Sequence, residues 1–336
     1  MALRWGIIGC GAISHDFVRS LGVAKENHKV VAAGASALQR AEEFVRKVGL
    51  SDVKAFGSYE ELLTDNNVDV VYIGLLNDAH VTWTVKALKA GKHVLCEKPL
   101  GVNLKEVKLI VETARAEKKF LMEGYWSRFF PVWLDIKNKI ADRDLGALRL
   151  VHINLGILLP ENRRDVSKGS TPLYDIGVYP VSLALYAFGK KATKVDAIGA
   201  KDEHNTDIWA NITLQFGDDQ RALLYYDANN RTVNNAILNF ENGSIQIPDF
   251  FWSPSEYIVT NRETNQHTTV KYSYPASEHD YNYSHSSGLS YEADHVYRKI
   301  KEGQIESEKM SHEETIAIHE VLEKVKKDLG VVFPQD

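Results

Sequence analysis

The feature that most constrains this chain is a glycine pair that closes its first apolar run. Residues 3–8 (LRWGII) read as a short strand, and Gly9-Cys10-Gly11-Ala12-Ile13-Ser14 follows it and opens a helical pattern. Four further apolar runs, 29–33, 68–74, 92–96 and 119–123, come behind it with helical patterns between them. Strands that alternate with helices imply a parallel sheet, so the first third of the chain reads as α/β. One interposed helix opens at Ser58 with Glu61 three residues on, the spacing of a capping box. Another, 104–117, sets Val107, Ile110, Val111 and Ala114 on one face, ready to lie against a sheet.

Beyond about residue 124 the rhythm changes. Ile208, Ala210, Ile212, Leu214 and Phe216 take alternate positions, as do Val151, Ile153, Leu155 and Ile157. Period-two alternation marks strands with one face on a core, which is typical of an antiparallel or mixed sheet. We therefore expect two domains, 1–124 with a doubly wound parallel sheet and 125–336 of α+β type. The outer face of the second sheet, bearing Trp209, Leu224 and Tyr226 or their neighbours, is either covered by a second subunit or exposed to solvent. A last helix, 313–329, ends at Gly330.

Composition narrows the partners. Forty Lys plus Arg against 45 Asp plus Glu give a net charge of -5, with no basic block for a run of phosphates, so nucleic acid is not expected. The longest uncharged apolar stretch, Ile176 to Gly189, is too short to cross a bilayer and contains Pro180, so no membrane span is expected. The amino-terminal residues run straight into a strand pattern and not into a leader, which points to the cytoplasm. Two cysteines, Cys10 and Cys96, cannot build a disulfide framework and read as small buried hydrophobes. Four Asn-x-Ser/Thr triplets, from Asn211, Asn230, Asn242 and Asn282, carry no consequence without a secretory signal.

The glycine loop has the context of a dinucleotide fingerprint. Gly9 permits the tight turn, and Gly11 lets backbone approach a pyrophosphate held by the amides of Ala12 and Ile13 at the helix start. The third fingerprint position is Ser14 in place of glycine or alanine. At the end of the second strand the sequence is Ala33-Gly34-Ala35-Ser36-Ala37-Leu38-Gln39-Arg40, with no carboxylate to take a ribose 2′-hydroxyl. A 2′-phosphate would find the Ser36 hydroxyl and the Arg40 guanidinium there, so NADP is the expected cofactor. Cys96-Glu97-Lys98-Pro99 stands directly after the strand 92–96, where Glu97 and Pro99 would fix Lys98 toward the ligand crevice. Asn77 and His80, after the preceding strand, are placed to border the nicotinamide.

Gly9-Cys10-Gly11, Glu97-Lys98-Pro99 and the later Asp175-Ile176-Gly177-Val178-Tyr179 together resemble the glucose-fructose oxidoreductase / inositol dehydrogenase (Gfo/Idh/MocA) family over nearly the whole chain. Longer blocks, 97–103, 120–123, 126–131 and 333–336, are similar to its branch of dimeric dihydrodiol dehydrogenases, also described as NADP-dependent D-xylose dehydrogenases. The resemblance implies a Rossmann domain followed by a domain on a large open sheet, NADP, no metal, and a homodimer joined through the sheet faces. Lys98 matches the family lysine, and Asp175 the aspartate before the acid/base. Tyr179 falls where most of the family has histidine and this branch has tyrosine.

Oxidising a secondary alcohol needs a base for the hydroxyl proton while hydride leaves the carbon. A phenol with a pKa of ~10 is a poor base at neutral pH, and a nearby ammonium favours its phenolate. Tyr179 is thus expected as acid/base, Lys98 as the cation that tunes it and Asp175 as orienter. Trp126, Arg128 and Phe129 are expected to line the pocket for a flat ring or sugar. The segment from Tyr272 to Tyr291, with five tyrosines, offers pocket walls or a subunit contact. His279, Asp280, His285 and His295 lack the close spacing of metal ligands. The expected activity is oxidation of a trans-dihydrodiol or D-xylose-type aldose; reduction of a sugar-derived dicarbonyl or anhydroketose, and a non-catalytic NADP(H) sensor, are the alternatives.

Overall fold

The central strands of the first sheet are short and apolar on both faces, because helices cover them on either side. The computed structural model describes residues 1–336. Its first sheet comprises β1 (Leu3–Ile8), β2 (His28–Gly34), β3 (Lys54–Phe56), β4 (Val70–Ile73), β5 (His93–Glu97) and β6 (Leu121–Gly124), all parallel, in the order β3-β2-β1-β4-β5-β6. The connecting helices are α1 (Ala12–Ser20), α2 (Leu38–Val48), α3 (Tyr59–Thr64), α4 (Asn77–Lys89) and α5 (Leu104–Glu117). The strand order reverses between β1 and β4, the point at which doubly wound folds bind ligands. Of these strands β3 is not legible in sequence, since three residues carry no periodicity. Ser58 Oγ accepts the Glu61 amide at 3.3 Å and donates to Glu60, so half of the expected capping box forms.

The chain divides into two compact units, and the division is not one cut near residue 124. The first unit holds residues 1–101, 105–126 and 274–315; the second holds 102–104, 127–273 and 316–336. The return of 274–315 to the first sheet has a polar cause. Asp16 on α1 is fully buried and accepts bonds from the Asn282 amide (2.9 Å), Asn282 Nδ2 (2.7 Å), the Tyr283 amide (2.9 Å) and Ser286 Oγ (2.7 Å).

The second unit contains α6 (Pro131–Asp142), β7 (Leu148–Gly156), α7 (Val178–Phe188), β8 (Lys194–Lys201), β9 (Asp207–Gln215), β10 (Arg221–Asp227), β11 (Ala236–Phe240), β12 (Gly243–Ile247), β13 (Glu256–Asn261) and β14 (Gln266–Lys271). The strands form one sheet ordered β14-β13-β12-β11-β7-β10-β9-β8, parallel only between β7 and β10. Helix α7 packs on its inner face. The late helices are α8 (Leu289–Lys301), in the first unit, and α9 (His312–Asp328). No helix is long and apolar enough to cross a membrane.

The alternation read from β7 and β9 holds: Val151, Ile153, Leu155, Ala210, Ile212 and Leu214 are buried. On β10 the expectation needs correcting. Leu224 pairs with Ile212 and Tyr226 with Ala210, and directly opposed residues share a face, so both point into the core. The outer face carries Trp209, as expected, together with Leu223 and Tyr225, the neighbours of the two buried residues, and Ile198, which is 67% exposed.

Burial raises the Asp16 carboxyl, but the bonds from Asn282, Ser286 and Tyr283 outweigh it and hold the group below its usual range. Its stabilisation is therefore present above the unfolded carboxyl value and lost as pH falls through the lower folded one. Asp16→Asn is expected to cost about 2–3 kcal/mol at pH 7, the scale of losing bonds to a charged group. Urea unfolding of both proteins should show that gap closing below about pH 4.

Candidate active site

At the strand-order reversal, three elements approach more closely than ordinary side chains allow. Gly9 has φ +94°, and a β-carbon there would lie 2.6 Å from the Gly74 carbonyl. A β-carbon at Gly74 would lie 2.3 Å from Ser14 Oγ. This explains why the third fingerprint position tolerates serine: the space a glycine would give on α1 is supplied by Gly74 after β4. Gly11, Ala12 and Ile13 remain open at the start of α1, so the backbone amides expected to hold a pyrophosphate are accessible. The residues present fit a dinucleotide.

At the end of β2, Ser36 and Arg40 come together, with Arg40 Nη1 donating to Ser36 Oγ at 3.0 Å. Both are exposed. Cys10, in the loop, donates weakly to the Gly34 carbonyl at 3.4 Å, and burial pushes its thiol up to about 11. Cys96 is buried, and both cysteines are free. Asn77 begins α4, half-buried beyond the end of β4.

Lys98 sits half-exposed on a turn whose neighbours are tied down on several sides. The Lys98–Pro99 peptide is cis. Tyr72 donates to Glu97 Oε1 at 2.5 Å, and the Leu100 amide donates to the buried Glu123 at 2.8 Å. Burial, then the Glu97 charge, raises the Tyr72 phenol, which keeps the proton it donates. The same causes raise the fully buried Glu292 carboxyl on α8.

His80 is placed differently from the expectation. It is 1% exposed, with Nδ1 2.7 Å from the Pro99 carbonyl and Nε2 3.2 Å from that of Leu75. Burial lowers its pKa, and a neutral ring donates once, so we assign the proton to Nδ1, the shorter contact. His80 braces the Lys98 turn from inside the unit and forms no open cofactor wall.

Asp175 and Tyr179 belong to the second unit, as Lys98 does to the first. Residues Leu173–Gly177 form a π-helical turn that leads into α7, a distortion frequent at functional sites. The turn is anchored by fully buried Asp207, which accepts the Leu173 amide and the Tyr226 hydroxyl, each at 2.7 Å. Burial raises the Asp207 carboxyl, although hydrogen bonds from Tyr226, Thr171 and Leu173 oppose this. A β-carbon at Gly177 would meet the Tyr226 ring at 2.9 Å, so only glycine permits the approach. Asp175 is buried and accepts an ion-paired bond from Arg163 at 2.5 Å. Tyr179 is the one residue between 171 and 187 that is not buried.

The expected pocket walls lie deeper than sequence suggests. Trp126, Arg128 and Phe129 are buried, because the apolar turn after β6 folds inward. Arg128 donates to Ser182 Oγ and to the Ser182 carbonyl, both at 3.1 Å, and lies over the Tyr186 ring, so it braces α7 one turn past Tyr179. In the tyrosine-rich segment, Tyr272 donates to Asp135 while Tyr274 stacks on His285. His279 approaches Arg19 and His295 approaches Ser307; no group of three or more His, Cys, Asp or Glu is arranged to hold a metal ion. Arg163, Asp207, Tyr72 and Glu123 were not singled out in sequence, where nothing distinguishes them from other polar residues.

A glycine-opened Rossmann sheet, followed along the chain by a second, mostly antiparallel sheet, is the architecture of a class of nicotinamide-dinucleotide-binding oxidoreductases. Two family descriptions match the chain: "Oxidoreductase family, NAD-binding Rossmann fold" over residues 3–125 and "GFO/IDH/MocA C-terminal domain" over residues 133–246. The chain belongs to the GFO/IDH/MocA oxidoreductase family. It is similar to a trans-1,2-dihydrobenzene-1,2-diol dehydrogenase from Danio rerio, 36% identical over 340 residues, 100% of this chain and 99% of the relative. Its fold is similar to that of levoglucosan dehydrogenase solved with NADH and levoglucosan (TM-score 0.85, 17% identity, 98% of each chain). It also matches a 3-ketoreductase from Actinomadura kijaniata solved with TDP-benzene and NADP (TM-score 0.79, 21% identity, 98% of each chain).

The contact between Ser14 and Gly74 generates a test. Gly74→Ala should destabilise the protein by about 1–3 kcal/mol through overpacking. Adding Ser14→Gly should recover part of the loss in thermal unfolding, while independent, additive losses would show that the two positions do not share the space.

Proposed function

We propose that the protein is an NADP-dependent dehydrogenase that oxidises a secondary alcohol in a trans-dihydrodiol or a D-xylose-type aldose. The observation that carries this reading is the partial exposure of Tyr179 within the otherwise buried run 171–187, whose start is pinned by Asp207 and Gly177. A tyrosine that served only packing would be buried with its neighbours. The name of the relatives, which match along the whole chain, supports the diol.

In this reading Tyr179 takes the substrate hydroxyl proton, and Lys98 hydrogen-bonds the same oxygen and favours the phenolate. Asp175, held by Arg163, orients the substrate or the phenol. A nicotinamide, when bound, would supply the acceptor for the hydride. Gly9, Gly11, Ala12 and Ile13 would hold the pyrophosphate, Asn77 and Glu97 would border the cofactor, and Ser36 with Arg40 would select the 2′-phosphate. Trp126, Arg128 and Phe129 support the substrate pocket from beneath. A cytoplasmic homodimer joined through the outer sheet face fits the apolar Ile198 and Leu223 exposed there.

Tyr179→Phe should lower diol turnover by a factor on the order of 100 with the dissociation constant for NADPH nearly unchanged. Unaltered turnover would exclude Tyr179 as the acid/base. Arg40→Ala should weaken NADPH much more than NADH in fluorescence titration, and equal losses would reject the 2′-phosphate role. Ile198→Asp combined with Leu223→Asp should halve the mass seen by sedimentation; an unchanged mass would refute the sheet-face dimer.

A further inference from the structure

Arg40 hydrogen-bonds Ser36, and its guanidinium enters no ion pair with a carboxylate of the chain. An exposed guanidinium held by a neutral hydroxyl keeps its full charge for an incoming anion. Tyr59, the first residue of α3, reaches the same end of the sheet from another element. Its ring is fixed by packing. Its Cδ1 lies 3.3 Å from where a β-carbon on Gly34 would stand, and the ring meets Trp83 edge to face with centroids 4.6 Å apart.

Gly34 is also where the glycine loop arrives, its carbonyl accepting the Gly9 amide at 3.1 Å and Cys10 Sγ at 3.4 Å. The loop, the β2 end with Ser36 and Arg40, and the α3 start with Tyr59 therefore surround one spot. The electrostatics agree with this placement. Burial raises the Tyr59 phenol and Arg40 opposes this only in part, so the hydroxyl keeps its proton. Cys10, raised by burial, is a neutral thiol at physiological pH and adds no charge to repel an anion.

We propose that Tyr59 is a specificity-determining residue of the cofactor site, its hydroxyl donating a hydrogen bond to the 2′-phosphate of NADP beside Arg40 and Ser36. The proposal rests on the NADP reading above and adds a donor from an element that reading does not use. A phosphate has three free oxygens, and Tyr59 approaches it from a different backbone segment than Ser36 and Arg40. A ribose 2′-hydroxyl is smaller and uncharged, and would leave the Arg40 charge uncompensated.

The test uses the full chain and Tyr59→Phe, which keeps the ring against Gly34 and Trp83. NADPH and NADH are titrated by nicotinamide fluorescence, with 2′,5′-ADP and 5′-AMP as competing probes. The variant should bind NADPH and 2′,5′-ADP roughly tenfold more weakly, the scale of one hydrogen bond to a charged group, with NADH and 5′-AMP changed by less than about twofold. Equal losses for all four ligands, or no loss for any, would overturn the role of Tyr59. If Arg40→Ala still loses NADPH selectively in that case, the NADP reading survives alone. If the unmodified protein binds NADPH no more tightly than NADH, both readings fall.

Discussion

The first unit depends on a steric constraint: β1, β4 and the opening turn of α1 meet where a single extra carbon would collide. Gly9, Gly74 and Ser14 share that space, and the glycine at the end of β4 matters as much as the one that opens the loop. With the helix drawn onto the sheet there, its first amides are left uncovered by side chains and face the crevice of the strand-order reversal. The binding capacity of this end of the sheet follows from atoms that are absent.

The second unit solves a different problem, that of setting one polar group at the surface of a buried helix. Asp207 is removed from water, and its Oδ2 accepts both the Leu173 amide and the Tyr226 hydroxyl. Removing a carboxylate from water is costly unless it is hydrogen-bonded, so this knot has few alternative arrangements. The π-helical turn it holds shifts the register at which α7 begins, and Tyr179 emerges while its neighbours stay inside. Arg128, tied to Ser182 and laid over Tyr186, stiffens the same helix from the other direction.

What the sequence discloses and what it hides divide along physical lines. Strand and helix periodicity reports which side of an element is buried, so the first sheet, the long α5 and the alternation in β7 and β9 are readable. Sequence does not report register between distant strands, so whether Leu224 and Tyr226 or their neighbours face outward was not legible; the pairing with β9 turns Leu223 and Tyr225 outward. The dinucleotide loop and the Lys98 turn carry local signatures. Their supports do not: His80, Tyr72 and Glu123 act through bonds to residues 19 to 25 positions away, and Arg163 meets Asp175 only because an intervening loop folds back. Trp126 and Phe129 look like pocket walls because aromatic residues in a core and in a ligand site are chemically alike.

The bonds from residues 282–286 to Asp16 bear on how the protein is made. The helix that follows the glycine loop is synthesised well before the partners of its buried carboxylate in residues 282–286, which lie more than 260 residues later. Until those residues emerge, an unsatisfied charge stands beside the nascent sheet, and the amino-terminal half has no complete interior of its own. Synthesis order and folding order must therefore differ, and the dinucleotide-binding unit is complete only after residues 282–286 have been made.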